Sequence, residues 1–131
     1  MIVDPSALIS ILRFEEDSEA LLRAVWRAQA VRLSAAGYLE TAIVIDAPGD
    51  PIVSRRLDEF IRDVPIDVAP ITAVEARIAR DAYRDFGKGS GHPARLNFGD
   101  CFSYALAKSL GEPLLFKGDD FIHTDVAVAV K

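Results

Sequence analysis

The sequence predicts an α/β fold, a single domain over residues 1–131 in which a central parallel sheet of four to five short strands is flanked by helices. Three observations predict it. Short apolar runs alternate with segments of helical periodicity, the pattern of a parallel sheet covered on both faces. Pro and Gly clusters separate these segments, and no internal repeat, low-complexity tract or long linker interrupts them. The 131 residues, 50% hydrophobic and 27% charged, suit one core and leave no length for a second.

The elements follow in order. Ile2-Val3 is a short strand stopped by Asp4-Pro5, and Pro5 suits the first turn of a helix over about Ser6 to Leu12, where its missing N–H costs nothing. Glu15 to Ala28 carries Ala20, Leu21, Ala24, Val25 and Ala28 at helical spacing, with acids in the first turn where the helix dipole favours them. Val31-Arg32-Leu33 reads as a second strand. A helix runs from Ala35 or Ala36 to Ala47, until Pro48-Gly49-Asp50-Pro51 breaks it, and another spans Ile52 to Arg62. Ile66 and Val68 alternate with Asp67 as in a strand. Thr72 and Glu75 form a capping-box pattern for a helix to about Phe86. Gly87 to Pro93 is too rich in glycine for regular structure and reads as a mobile loop of about ten residues. Asn97 caps a helix over Phe98 to Leu110, closed by Gly111. Leu114-Leu115-Phe116 is a buried-type strand, Lys117-Gly118-Asp119-Asp120 a turn, and Val126 to Val130 a last apolar run.

Composition narrows the function. Twenty acidic against fifteen basic residues give a net charge of −5, which repels a polyanion unless the basic residues are segregated, so a general nucleic-acid coat is excluded. Segregation is available. Arg77, Arg80, Arg84, Lys88, Arg95, Lys108 and Lys117 fall in the second half, whereas Glu15, Glu16, Asp17 and Glu19 cluster near the start. Cys101 alone makes no internal disulfide, and with His92 and His123 it completes no zinc finger, so the chain reads as intracellular. No apolar stretch approaches the ~20 residues that cross a bilayer, and the first residues lack a signal-peptide pattern, so a cytoplasmic protein without membrane attachment is expected.

Acids stand where the local pattern does not call for solvent. Asp4 lies at the carboxyl end of the first strand, the edge where open α/β sheets bind ligands, and it also suits an ordinary N-cap. Glu40 has Ala36, Ile43 and Val44 one turn away and Leu39 beside it, which places a carboxylate within an apolar face. Such a group needs either a salt bridge, to Arg13 for instance, or a bound cation. Asp100 sits at the third position after Asn97, where it can reciprocate a cap. Asp119 and Asp120 follow the Leu114 strand in what is otherwise a polar turn. Parallel strands at Ile2 and Leu114 would bring these acids to one sheet edge, where their mutual repulsion calls for a hard cation such as Mg²⁺ or Mn²⁺.

Four blocks in register carry a family resemblance: Ile2-Val3-Asp4-Pro5-Ser6-Ala7-Leu8, Tyr38-Leu39-Glu40-Thr41, Leu96 to Ala107 around Asn97-Phe98-Gly99-Asp100, and Leu114 to Phe121. Over essentially its whole length the chain resembles PIN-domain ribonuclease toxins of the VapC type, the toxin half of bacterial type II toxin–antitoxin pairs. The resemblance implies a Mg²⁺-dependent endoribonuclease, with Mn²⁺ able to substitute, that leaves 5′-phosphate and 3′-hydroxyl ends. It implies Asp4, Glu40 and Asp100 as core acids and a fourth from the Asp119-Asp120 turn. Asp4 and Asp100 would be direct metal ligands, with Glu40 and the Asp120 turn completing the cage. Pro5 stands where the family favours a small hydroxyl residue, although Ser6 still offers one. The family's last turn often reads Asp-x-Asp, and Gly118 replaces its first acid if Asp120 aligns with the second, which leaves Asp119 and Asp120 both open as the fourth ligand.

The same resemblance implies an RNA substrate, a VapB-like antitoxin and a homodimer. Ser6, Lys88, Arg95 and Lys117 are the candidate RNA contacts, while Arg77, Arg80 and Arg84 share a helix face that Asp81 and Asp85 can neutralise. Trp26, Phe102 and Tyr104 read as core or interface residues, and Cys101 as a small buried one. The resemblance also implies that the helices before Ala30 and over Ile52 to Arg62 offer an apolar groove to an antitoxin helix. Two positive charges from each of two ions would bring −5 to about −1. A catalytically weak PIN-like RNA- or protein-binding module is the alternative. A phosphoacceptor receiver domain ranks last, because Asp46 and Asp50 follow a helix and not a central strand.

Overall fold

A computed structural model describes residues 1–130. Along the chain it has β1 (Ile2–Val3), α1 (Pro5–Leu12), α2 (Ser18–Arg27), β2 (Arg32–Ser34), α3 (Ala35–Asp46), α4 (Pro51–Asp63), β3 (Asp67–Ala69), α5 (Ala73–Phe86), α6 (Phe98–Leu110) and β4 (Leu114–Leu115). The strands form one sheet in the order β3-β2-β1-β4, with every pairing parallel. Each strand is followed or preceded by a helix because a parallel neighbour can be reached only by a crossover.

The two-residue period of the strands divides the core. Ile2 and Leu114 face one side, where they pack with Ala82 of α5 and Cys101, Tyr104 and Leu106 of α6. Val3, Leu33 and Leu115 face the other, against Ala7, Leu8 and Ile11 of α1 and Leu21 and Val25 of α2. A smaller cluster of Leu12, Ile45 and Leu57 joins α1, α3 and α4. The predicted α/β class and parallel sheet stand, at four named strands.

One local expectation changes and two gain detail. The second helix begins at Ser18 and not at Glu15: Phe14 takes φ +54°, the Glu15 N–H donates to Ser10 O at 3.0 Å, and the Ser10 hydroxyl donates to Asp17 at 2.6 Å, so residues 13–17 form a turn. Val126 to Val130 adds only a single parallel bridge, Leu114 to Val128, on the edge of β4. The glycine-rich loop is tied down at both ends, with the Lys88 N–H donating to Leu96 O at 2.8 Å, the Leu96 N–H to Phe86 O at 2.9 Å, and His92 packed edge-on against Phe86. Among the described residues no helix is long and apolar enough to cross a membrane.

The register decides where the acids go. Ile2 pairs with Leu114 and Val3 with Leu115, so β1 and β4 run in step and leave the sheet at the same edge. Asp4 and the turn after β4 therefore emerge side by side, and the Asp4 N–H still donates to Leu115 O at 2.9 Å.

Candidate active site

Asp4 is the deepest acid. It is 4% exposed and caps α1, accepting from the Ser6 N–H at 3.0 Å through one oxygen and from the Ser103 hydroxyl at 2.6 Å through the other. The N-cap reading of Asp4 holds. Burial raises its pKa above the ordinary aspartate value, the bonds from Ser103 and Ser6 oppose that rise, and the charge of Asp120 adds to it.

Asp100 belongs to a complete capping box. Its N–H donates to Asn97 Oδ1 at 2.8 Å, and its carboxylate accepts from the Asn97 N–H at 3.0 Å, which fixes the acid at the first turn of α6. Its pKa is pushed up to about 7, chiefly by burial and then by the charges of Asp4, Asp120 and Glu40, against the pull of the Asn97 bond.

Glu40 departs from the expectation of a buried carboxylate in an apolar face. Leu39 and Ile43 beside it are 59% and 60% exposed, so the apolar face of α3 is itself at the surface. The expected bridge to Arg13 is absent, and among the described residues Glu40 has no ion-pair partner. Glu40 is an exposed residue whose carboxyl lies against Gly99, so close that a Cβ at that position would collide with Oε1. Partial burial there, followed by the charge of Asp4, raises its pKa.

The turn after β4 separates its two acids. The charge of Asp120 bears on both Asp4 and Asp100, whereas the neighbouring Asp119 contributes to neither shift. Asp4, Glu40, Asp100 and Asp120 thus lie close enough for their charges to act on one another, in one acidic cluster or cleft where β1, α3, α6 and the β4 turn meet. All four offer carboxylate oxygen, the donor a hard divalent cation takes, and the pKa values of Asp4, Asp100 and Glu40 are raised first by burial and then by neighbouring carboxylates. Among the described residues no three acids converge on one ion-sized point.

Two supporting residues went unread in the sequence. Ser103 lies one turn beyond Asp100 on the same face of α6, and the i, i+3 spacing was the available signal. Gly99 was visible only as part of a motif, and its missing side chain leaves room for Glu40.

The candidate RNA contacts divide. Lys88 and Arg95 are exposed in the glycine-rich loop and pair with no acid among the described residues, Arg95 with φ +52°. Lys117 instead has its ammonium 2.7 Å from Glu15 and 3.3 Å from Asp17. The Ser6 hydroxyl accepts from the Lys117 N–H at 3.0 Å and so holds the turn. Arg84 is neutralised by Asp81 and Asp85, as expected, whereas Arg77 and Arg80 have no ion-pair partner among the described residues.

Away from the cleft, Ile11, Leu22, Trp26, Phe60 and Val64 line an apolar groove of about 440 Å³ between α2 and α4, with Arg56, Glu59 and Asp63 at its rim. Trp26 is thus 59% exposed in that groove, while Tyr104 is core, its hydroxyl bonded to Asp125 at 2.5 Å. Cys101 is buried as expected. A second apolar surface runs from Leu39 and Ile43 across to Ile71, Phe98 and Phe102.

Comparison with known proteins places this arrangement. The family model of the PIN domain matches residues 1–127. The chain is 58% identical over 130 residues to Ribonuclease VapC28 of Mycobacterium tuberculosis, covering 99% of this chain and 98% of that protein. Among solved structures, VapC20 of Mycobacterium tuberculosis, described as a Sarcin-Ricin loop cleaving toxin, superposes with a TM-score of 0.74 at 15% identity over 96% of this chain and 95% of its own. A toxin–antitoxin complex from Klebsiella pneumoniae gives a TM-score of 0.74 at 16% identity, over 97% and 94% of the two chains. At that identity the two structures establish a shared fold. The chain is a member of the PIN domain family, of the VapC type.

Proposed function

We propose that this protein is a divalent-metal-dependent endoribonuclease and the toxin of a type II toxin–antitoxin pair, acting in the cytoplasm. The observation that carries the reading is the cleft of four acids at the carboxyl edge of a parallel sheet, in a chain 58% identical to a named ribonuclease.

Asp4 and Asp100 would be the direct ligands of Mg²⁺ or Mn²⁺, with Glu40 and Asp120 completing the set. When bound, the ion supplies positive charge to the phosphate oxygens and acidity to water. The chain's own part is to hold the acids in place before the substrate arrives: Ser103 and the Ser6 N–H fix Asp4, Asn97 fixes Asp100, and Gly99 admits Glu40. Neither His92 nor His123 is required as a base. Lys88 and Arg95 would meet the RNA backbone beside the cleft.

The groove between α2 and α4 suits an amphipathic antitoxin helix, and the exposed apolar residues of α3 and α6 suit a second copy of the chain. The test is cleavage of total cellular RNA with Mg²⁺ or Mn²⁺ and with chelator, by wild type, Asp4→Asn and Asp100→Asn. Metal-dependent cleavage by wild type, lost in both variants, is expected. Equal inactivity of all three with both metals would refute the nuclease and leave the binding module.

A further inference from the structure

The turn that carries Asp120 has little of its own to hold it. Residues 117–120 are exposed and irregular, and Gly118 takes φ +98° with open space where a side chain would be. The turn's flanks are anchored by Phe116 and the buried Phe121, whose rings are 5.1 Å apart. Between those anchors, among the described residues, the fixed points belong to Lys117. Its N–H donates to the Ser6 hydroxyl at 3.0 Å, and its ammonium meets Glu15 at 2.7 Å and Asp17 at 3.3 Å. Asp17 is itself held by the Ser10 hydroxyl at 2.6 Å, in the turn between α1 and α2.

We propose that Lys117, Glu15 and Asp17 form a clasp that holds the β4 turn against the α1–α2 turn and thereby positions Asp120 beside Asp4 and Asp100. Lys117 is on this view a positioning residue and not an RNA contact. The inference rests on the reading of the cleft as a metal site. The electrostatics agree, because the two acids raise the Lys117 pKa, and the Ser10 bond with the lysine beside it lowers that of Asp17.

The two roles of Lys117 predict opposite effects of removing its partners. Glu15 and Asp17 are acids, so deleting their charge strengthens RNA binding if electrostatics alone matters. If they form a clasp, the same change loosens Asp120. Exposed pairs of this kind contribute little to global stability, so the unfolding midpoint should hardly move.

The experiment uses the full chain, as wild type, as Lys117→Met, as Lys117→Arg and as the double variant Glu15→Gln with Asp17→Asn, whose amide still accepts from Ser10. Mn²⁺ affinity without RNA is measured by calorimetry, and order parameters of Gly118 to Asp120 by amide relaxation in metal-free protein. Lys117→Met and the double variant should each bind Mn²⁺ about three- to tenfold more weakly, with order parameters falling from about 0.85 to below about 0.6, and Lys117→Arg should restore both. Unchanged order in the double variant overturns the clasp. Lower order with unchanged Mn²⁺ affinity leaves the clasp standing and removes Asp120 from the ligand set.

Discussion

Replacing Asp4 separates what its charge does from what its shape does. Asp4→Ala removes the cap of α1, worth about 1 kcal/mol, and strands the Ser103 hydroxyl, which is 1% exposed, at a cost of about 1–3 kcal/mol. Together these should destabilise the protein by about 2–4 kcal/mol, less whatever is recovered by removing a buried charge. Asp4→Asn is nearly isosteric. Its carbonyl can accept from the Ser6 N–H, and its amide can donate to Ser103 Oγ, which can turn its own proton to a carbonyl one turn back. The amide variant keeps both bonds while deleting a charge whose burial raises its pKa, so it should equal wild type or exceed it by about 0.5–2 kcal/mol. Urea unfolding in chelator at neutral pH, paired with an RNA cleavage assay, reads both properties. The advantage of Asp4→Asn should shrink on acidification, because wild-type Asp4 then takes up the proton its folded state favours. A clear loss of stability in Asp4→Asn, or retained cleavage by it, would refute the division of roles.

Two further outcomes follow from the same cleft. Gly99→Ala should leave the protein folded but displace the Glu40 carboxyl, a flexible side-chain end, and lower cleavage by about tenfold, about 1.4 kcal/mol of transition-state stabilisation; unchanged cleavage would remove Glu40 from the site. In metal-free protein, folded Asp100 keeps its proton to about pH 7 while the unfolded group releases it near 3.8. The folded state binds more protons between these values, so the urea midpoint should fall as pH rises across that window, with Asp4 and Glu40 acting in the same direction. Asp17, Glu112 and Asp125 have lowered pKa values, so their contribution is lost only at more acid pH. Asp100→Asn should flatten the slope, and an equal slope in both proteins would contradict the assignment.

Signals carried by neighbours in sequence were legible, and those set by distant contacts were not. The boxes at Thr72 with Glu75 and Asn97 with Asp100 depend on residues three apart, and both form as read. Asp4 was placed correctly because a strand leading into Pro5 leaves it no other position. Glu40 was misjudged because α3 is apolar around most of its circumference, so periodicity gives it no inner face; Leu39 and Ile43 look like core and are at the surface. The choice between Asp119 and Asp120 turns on a backbone path through Gly118 at positive φ, and no local pattern encodes it. Glu15 looked like a first-turn helix acid, yet its partner is Lys117, 102 residues along the chain.

The cap bonds also bear on the order of folding and the proposed metal uptake. Asp4 and Asp100 stand at the starts of α1 and α6, where each helix presents about half a positive charge to the cleft. These partial charges and the bonds from Ser6, Ser103 and Asn97 restrain like charges that would otherwise push apart. On the proposed reading the polypeptide would acquire its shape first and its ion afterwards, the reverse of a zinc finger, where metal and folding arrive together. An ion present at its own Kd adds only about 0.4 kcal/mol to such a fold. Chelation would then switch off the proposed chemistry and leave the surfaces of α2, α4 and α3 presentable, so a partner could recognise the protein whether or not the cleft is loaded.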